Sequence, residues 1–299
     1  MLRDMAHMIP PLYTPGAPTP AEGLRPTGRD LSGRTLLMSG GSRGIGLAIA
    51  LRAAQDGANV AIMAKTDQPH PALPGTIHTA AEEIRAAGGR ALAIVGDVRD
   101  DESVAAAVEQ TVAEFGGIDV VVNNASAIDL SGTESLSMKK YDLMQDINAR
   151  GTFLLSKLSL GALKASDNPH ILTLSPPISL DPAWFGGSLA YTMAKYGMSM
   201  TTIGLAEELK DAGVAVNSLW PATTIDTAAV RNVIGGEKLA AVSRTPEIVA
   251  DAAHAILTQE SREVTGRFLI DEDVLAAVGV TDLSVYGGEG PFARDHFLD

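Results

Sequence analysis

The 299-residue sequence contains no cysteine, which excludes disulfide bridges, thiolate catalysis and cysteine-ligated zinc. It has no apolar run approaching the roughly 18 residues of a membrane span. Its first 30 residues, Met1 to Asp30, carry no apolar stretch of the secretory kind, so a cytoplasmic protein is expected. An excess of positive charge is also missing: 23 lysines and arginines face 36 acidic residues, a formal net charge of −13. Nucleic acids and anionic membranes demand a basic field, so neither is an expected partner, and the negative charge reads as a solubility surface. The six histidines show no H-x-x-x-H or similar ligand cluster. His70 and His78 read as loop and helix surface, and no metal site is expected.

What is present is an ordinary globular composition, 45% apolar and 20% charged. The length suits one large α/β domain with extensions and a sizeable core. Residues 1–30 hold Pro10, Pro11, Pro15, Pro18, Pro20 and Pro26. Such a segment cannot be helical; it reads as an arm lying on a neighbouring subunit or as a loose tail. Order is predicted from Leu31. Short apolar runs mark strands over Arg34–Ser39, Asn59–Ala64, Ala91–Val95, Asp119–Val122, His170–Leu174, Val214–Leu219 and Arg267–Ile270. Helical patterns lie between them at Ile45–Asp56, Thr79–Ala87, Glu102–Phe115, Tyr141–Leu163, Ala190–Asp211 and Pro246–Thr258, the last with Thr245 as N-cap and Pro246 in first position. The alternation predicts a doubly wound, Rossmann-type, mostly parallel seven-stranded sheet with helices on both faces. One domain over residues 31–272 is expected, with residues 273–299 packing on it as a C-terminal extension.

The first strand runs into Ser39-Gly40-Gly41-Ser42-Arg43-Gly44-Ile45-Gly46. A glycine turn between strand and helix lets backbone approach a pyrophosphate, and the helix start offers free N–H groups and a positive dipole end. A plain glycine turn is the bland alternative. An acid ending the second strand would bind a ribose 2′-hydroxyl and repel a 2′-phosphate. Here Lys65 follows Ala64, and Arg43 sits in the loop, two cations suited to a 2′-phosphate. Lys65 as a solvated surface lysine and the nearby Asp67 argue the other way; NADP(H) is the cofactor preferred. Tyr191 and Lys195, four apart in a helical pattern, share one face. An ammonium there favours the phenolate of a tyrosine that is otherwise too weakly acidic for work at neutral pH. Tyr191 then moves the hydroxyl proton while the nicotinamide carries the hydride, and Lys195 is placed to hold the nicotinamide ribose.

The loop resembles the T-G-x-x-x-G-I-G of short-chain dehydrogenases, with Ser39 for threonine. Further matches follow in order: Gly96-Asp97-Val98, Asn123-Asn124-Ala125-Ser126, Asn148, Tyr191-x-x-x-Lys195 and Asn217 to Pro221, over roughly residues 31 to 270. Residues 64–71, Ser175-Pro176-Pro177, Pro182-Ala183-Trp184-Phe185 and the ending Phe297-Leu298-Asp299 look like the hydroxysteroid dehydrogenase-like group, whose members often continue into a sterol-carrier domain; none is expected within these 299 residues. The resemblance implies that Asp97 and Val98 contact adenine, and that Asn124 and Ala125 lie along the cofactor. It implies that Asn148 links Lys195 to a proton relay, that Pro221 and Thr223 belong to the nicotinamide-side loop, and that Thr227 is its threonine. A serine after the fifth strand should hold the substrate oxygen. Pro176 stands where that serine falls, which leaves Ser175, 16 residues before Tyr191, or Ser179 at 12; Ser175 is the choice. Trp184, Phe185 and Trp220 should border the cleft, pointing to a hydrophobic carbonyl or alcohol of lipid, fatty-acyl or steroid type. The two long helices, the second with Met193, Met198, Met200, Ile203 and Leu205, imply a homo-oligomer, dimer or tetramer. The expected function is hydride transfer between NADP(H) and that carbonyl or alcohol; the rival is an NADP-binding sensor or scaffold with little turnover.

Overall fold

The computed structural model describes residues 21–69, 75–287 and 290–298. The proline-rich run through Pro20, and His70, lie outside them.

Seven strands, β1 Thr35–Ser39, β2 Asn59–Ala64, β3 Arg90–Val95, β4 Val120–Asn123, β5 His170–Leu174, β6 Ala215–Trp220 and β7 Phe268–Ile270, form one sheet in the order β3-β2-β1-β4-β5-β6-β7. Every pairing is parallel; Leu37 lies opposite both Ala61 and Val121. The strand order reverses between β1 and β4, which opens a crevice beyond their carboxyl ends, the place where such sheets bind ligands.

Alternation along the strands assigns the two cores. Leu36, Met38, Val60, Ile62, Val120 and Val122 face one side. They pack there with α1 (Gly44–Gln55), α2 (Ile77–Ala86) and, further along the chain, a helix over Glu247–Leu257. Leu37, Ala61, Met63, Val121, Ile171 and Val216 face the other side, against α3 (Asp101–Phe115) and later helices at Gly151–Leu163 and Leu189–Glu208. Both faces are thus covered, which is why the strands read as continuous apolar runs.

Local chemistry sets the helix ends. Thr76 begins α2 with a capping box to Thr79, and the Asp100 carboxylate accepts from the Ser103 N–H at 2.7 Å to begin α3. The predicted helix over Tyr141–Leu163 is three segments: α4 (Met138–Met144), a π-helical turn at Gln145–Arg150, and α5 (Gly151–Leu163). A short α6 (Ala183–Gly186) precedes α7 (Leu189–Glu208), and α8 (Gly236–Ala240) precedes α9 (Glu247–Leu257). Thr245 does not cap α9. Pro246 occupies the cap, and the Thr245 N–H donates to the Tyr286 carbonyl instead. After β7, α10 (Asp271–Ala277) packs on α9, and the chain returns so that Tyr286, Phe297 and Leu298 are buried. At the other end Ala21 and Leu24 join the core, and Gln259 donates to the Arg25 carbonyl at 3.0 Å.

Candidate active site

The loop between β1 and α1 closes on the end of β4. Gly40 and Gly44 adopt left-handed backbone, φ 76° and 55°. A side chain at Gly40 would meet the Ala125 backbone, and one at Gly46 would collide with Asn124. Asn124 Nδ2 donates to the Gly40 carbonyl at 2.8 Å, and Ser39 Oγ accepts from the Asn124 and Ala125 N–H groups at 3.3 and 3.2 Å. The Asn124 side chain therefore braces the loop. Ser42 is buried, and Ile45 and Gly46 follow on the first turn of α1, which starts with no side-chain cap. Its N–H groups are left for an anion.

Arg43 stands at that helix start. It donates to the Gly75 carbonyl at 3.3 Å, its buried Nε has no partner, and it pairs with no carboxylate among the described residues. Beyond β2 and β3, Lys65 Nζ lies 3.1 Å from Asp97 Oδ2. Arg99 grips the same carboxylate at 2.6 and 3.0 Å. These bonds, Arg99 first, hold Asp97 far below the usual carboxylate range. Val98 is buried against Gly151. Lys65 and Arg99 thus share the Asp97 carboxylate. An unpaired guanidinium and free helix N–H groups fit the phosphates of a dinucleotide.

Tyr191 and Lys195 lie one turn apart on α7, both buried. Lys195 Nζ donates to the Leu174 carbonyl at 2.9 Å and sits 5.0 Å from the centre of the Trp220 ring. The Tyr191 hydroxyl makes no hydrogen bond among the described residues. Asn148 lies on the π-helical turn that packs on α7, where Gly197 leaves room for Ala149. Its amide donates to the Ala127 carbonyl at 3.0 Å and its carbonyl accepts the Ala127 N–H at 2.7 Å. That clamp uses one amide hydrogen and one carbonyl lone pair and fixes the backbone at Ala127.

The serine expectation needs correction. Ser175 is fully buried, its hydroxyl 2.9 Å from Ser218 Oγ, which donates on to Thr202 Oγ1 at 2.9 Å. It points between β6 and α7, where these hydroxyls take up its own. Ser179 Oγ accepts from the Asp181 N–H at 3.2 Å and serves its own turn. Pro176 offers a carbonyl, to Ser199, and no donor.

Residues that the sequence reading missed complete the site. Arg294 bridges to Thr223, the Asp295 N–H donates to the Ala222 carbonyl at 3.2 Å, and Trp220 Nε1 donates to the His296 carbonyl at 2.8 Å. Phe297 then lies among Tyr191, Trp184, Tyr196 and Trp220. Trp184 and Phe185 pack against this cluster. The aromatic pair His296-Phe297 was the only signal available, and nothing local to it points back to Tyr191. Thr227 approaches Gly44 of the loop. Among the described residues no acidic or histidine cluster is arranged to hold a metal.

Burial governs the titration of the site. It pushes the Tyr191 phenol well above its usual value, with Asp295 adding to the shift. The sequence reading has Lys195 lowering that pKa. Desolvation outweighs the ammonium, itself depressed to about 8 by burial. Burial also raises Asp271 and Asp295 to about 7. Asp271 Oδ1 accepts the Ala222 and Glu272 N–H groups at 2.8 Å, while its Oδ2 is buried without a partner, as suits a protonated carboxyl. The folded state therefore holds a proton that the unfolded chain has released above its ordinary carboxylate pKa. This contribution to stability is full below the unfolded pKa and is lost as pH rises through about 7. Asp271→Asn keeps both accepted bonds, so its thermal midpoint should match wild type near pH 4 and exceed it at pH 8. An equal pH dependence in both proteins would rule this out.

Residues 34–238 match the short chain dehydrogenase family model. The chain is 56% identical over 278 residues to hydroxysteroid dehydrogenase-like protein 2 of Danio rerio, covering 92% of this chain and 66% of that protein. It is 52% identical over 275 residues to the protein of that name from Homo sapiens, covering 91% and 65%. The chain thus spans just under two thirds of the length of these relatives. A solved short chain dehydrogenase from Mycobacterium thermoresistibile superposes with a TM-score of 0.86 at 56% identity, over 90% of this chain and 96% of that one. With the glycine loop, the parallel sheet and the Tyr191–Lys195 pair in place, the chain belongs to the short-chain dehydrogenase family.

Proposed function

We propose that the chain is an NADP(H)-dependent oxidoreductase acting on the carbonyl or secondary alcohol of a hydrophobic molecule. The observation that carries this reading is the Tyr191 hydroxyl, carried on a buried residue and free of any hydrogen bond among the described residues, one helical turn from Lys195. Gly40, Ser42, Arg43, Gly44, Ile45 and Gly46 would hold the pyrophosphate side of the cofactor. Lys65 and Arg43 would take the 2′-phosphate, with Asp97, Val98, Asn124 and Ala125 along the adenosine half. Pro221 and Thr223, whose Oγ1 is buried without a partner, would face the nicotinamide. The bound nicotinamide supplies or accepts the hydride.

The protein's own part is the proton. A phenol held above its ordinary pKa stays protonated at neutral pH, so Tyr191 donates to the oxygen of a carbonyl being reduced. Lys195, its ammonium anchored on the Leu174 carbonyl, favours the phenolate left behind. Asn148 fixes the backbone between β4 and α7 that supports both. The hydroxysteroid dehydrogenase-like name of the relatives, and the aromatic walls at Trp184, Phe185 and Trp220, support a hydrophobic substrate. The reading is tested by following NADPH consumption with fatty aldehydes, ketosteroids and ketones bearing an acyl-CoA group. Turnover with at least one class is expected; stoichiometric NADPH binding with no turnover across the panel favours a cofactor-binding sensor.

We further propose a homo-oligomer built through α5 and α7. Met198 and Leu205 are buried in the chain's own core, so they take no part. Phe153, Met193 and Met200 remain 51%, 45% and 60% exposed, and Met193 and Met200 lie two turns apart on one face of α7. Light scattering at micromolar concentration should give a dimer or tetramer mass, and a monomer mass would refute the assembly.

A further inference from the structure

Proton transfer needs a carbonyl oxygen within hydrogen-bond reach of the Tyr191 hydroxyl. The structure leaves little approach. The Tyr191 residue is 5% exposed. Phe297 stacks over its ring with centroids 5.9 Å apart and planes inclined by 24°, and His296 lies beside it at 6.1 Å. The Phe297 ring is itself 3% exposed and sits between Trp184, Tyr196 and Trp220 at 6.0, 5.3 and 6.0 Å. A side chain of this same molecule thus fills an aromatic box over the reacting tyrosine.

Three observations make the segment that carries it a removable cover. Phe297 has φ 72°, the one non-glycine with positive φ among the described residues, in a region that a bulky aromatic adopts only under strain. The closed arrangement leaves a polar group of the box unsatisfied: Trp184 Nε1 is buried without a partner. The segment is also held by no helix or strand of its own: the Thr223–Arg294 bridge, in which the Thr224 N–H donates to the Ala293 carbonyl and the Asp295 N–H to the Ala222 carbonyl, is joined by the Ala293–Val242 bond, the Trp220–His296 bond and a Ser188–His296 contact at 3.3 Å. By contrast, the box walls on α6, α7 and β6 belong to regular elements.

We propose that residues 293–298 form a displaceable plug, and that the Phe297 ring marks the substrate's own subsite, built for a flat aryl group attached to the reacting carbonyl. The inference rests on the reading of Tyr191 as the proton donor. An aryl ketone replaces ring with ring, so the buried apolar area is kept, while its oxygen supplies the acceptor that Tyr191 lacks. A plug closed most of the time lowers the apparent affinity by the fraction of open molecules, so removing the ring should tighten binding.

The absence of cysteine makes the test direct. Leu298→Cys, at a position only 8% exposed, places the sole thiol of the chain on the plug. Its alkylation by a maleimide is followed in the NADP⁺ complex with and without acetophenone, a pair that cannot turn over. Alkylation should accelerate at least ~10-fold with acetophenone, as expected if a plug open about a tenth of the time or less becomes mostly open. In parallel, calorimetry compares acetophenone binding to wild type and Phe297→Ala with NADP⁺ present, and the variant should bind at least ~10-fold more tightly. This second arm does not depend on the cysteine variant folding. Unchanged or slowed alkylation, binding by Phe297→Ala no tighter than wild type, or no binding by either protein makes the segment a fixed wall and overturns the proposal. Plug opening and tighter variant binding without any NADPH-linked reduction would leave the subsite standing and remove the hydride-transfer reading. Turnover with a plug that never opens would do the reverse.

Discussion

Tyr191→Phe is expected to lower turnover by at least ~10²–10⁴-fold, the range typical of lost general acid–base catalysis, with fold and NADPH affinity unchanged. The substitution keeps the ring that packs against Phe297 and His296. It removes a hydroxyl that has no protein partner, so no buried group is left unsatisfied and the thermal midpoint should stay level or rise. The pH dependence follows from the direction of the shift. Burial and Asp295 hold the phenol above its ordinary pKa. Carbonyl reduction by wild type should therefore be flat across neutral pH and fall only in strong alkali, while alcohol oxidation should rise with pH. Lys195→Met should move both profiles further into alkali, because the ammonium that favours the phenolate is gone. It should also weaken cofactor binding. Steady-state rates from pH 6 to 10 on the three proteins check this. A Tyr191→Phe rate close to wild type would exclude Tyr191 as the proton-transfer residue.

The second large effect concerns the cofactor. Arg43→Ala and Lys65→Ala should each weaken NADPH binding by about 1.5–3 kcal/mol, the worth of a hydrogen bond to a charged group, or roughly 10–100-fold. NADH, without the 2′-phosphate, should bind nearly as before. The two variants differ in detail. Arg43 has no carboxylate partner to release, so its loss is a simple subtraction. Lys65 also neutralises Asp97, and its removal leaves that carboxylate nearer the phosphate with Arg99 alone to offset it. The double variant should therefore approach equal affinity for the two cofactors. Fluorescence titration of the reduced cofactors is the measurement; equal losses for NADPH and NADH would show that neither cation reads the phosphate.

The sheet and its order of elements were legible in the sequence because each strand is buried on both faces and shows as an apolar run, with Gly40, Gly44, Gly88 and Gly116 marking turns between them. Tyr191, Lys195 and the glycine loop were legible because their spacing is fixed by one helix or one turn. What failed depended on long-range contact. Ser175 stands near the expected place, but its hydroxyl is bonded to Ser218, 43 residues on. The π-helical turn at Gln145–Arg150 has an ordinary helical sequence, and Asn148 is tied to Ala127 across the chain. The lowered phenol pKa was read from charge alone, and burial reversed it. Asp271, Asp295 and Phe297 lie far along the chain from Tyr191, in a stretch whose composition shows only that it is partly apolar.

The central claim is that this site passes a hydride from a nicotinamide to a carbonyl carbon while Tyr191 supplies the proton. The most direct measurement is the mass spectrum of alcohol formed from an aryl or aliphatic ketone with NADPH carrying deuterium at the transferable position of C4. The account predicts one deuterium on the carbinol carbon of the wild-type product, and almost no labelled alcohol with Tyr191→Phe at equal cofactor occupancy. Alcohol formed without the label, or labelled alcohol produced by Tyr191→Phe at the wild-type rate, would contradict it.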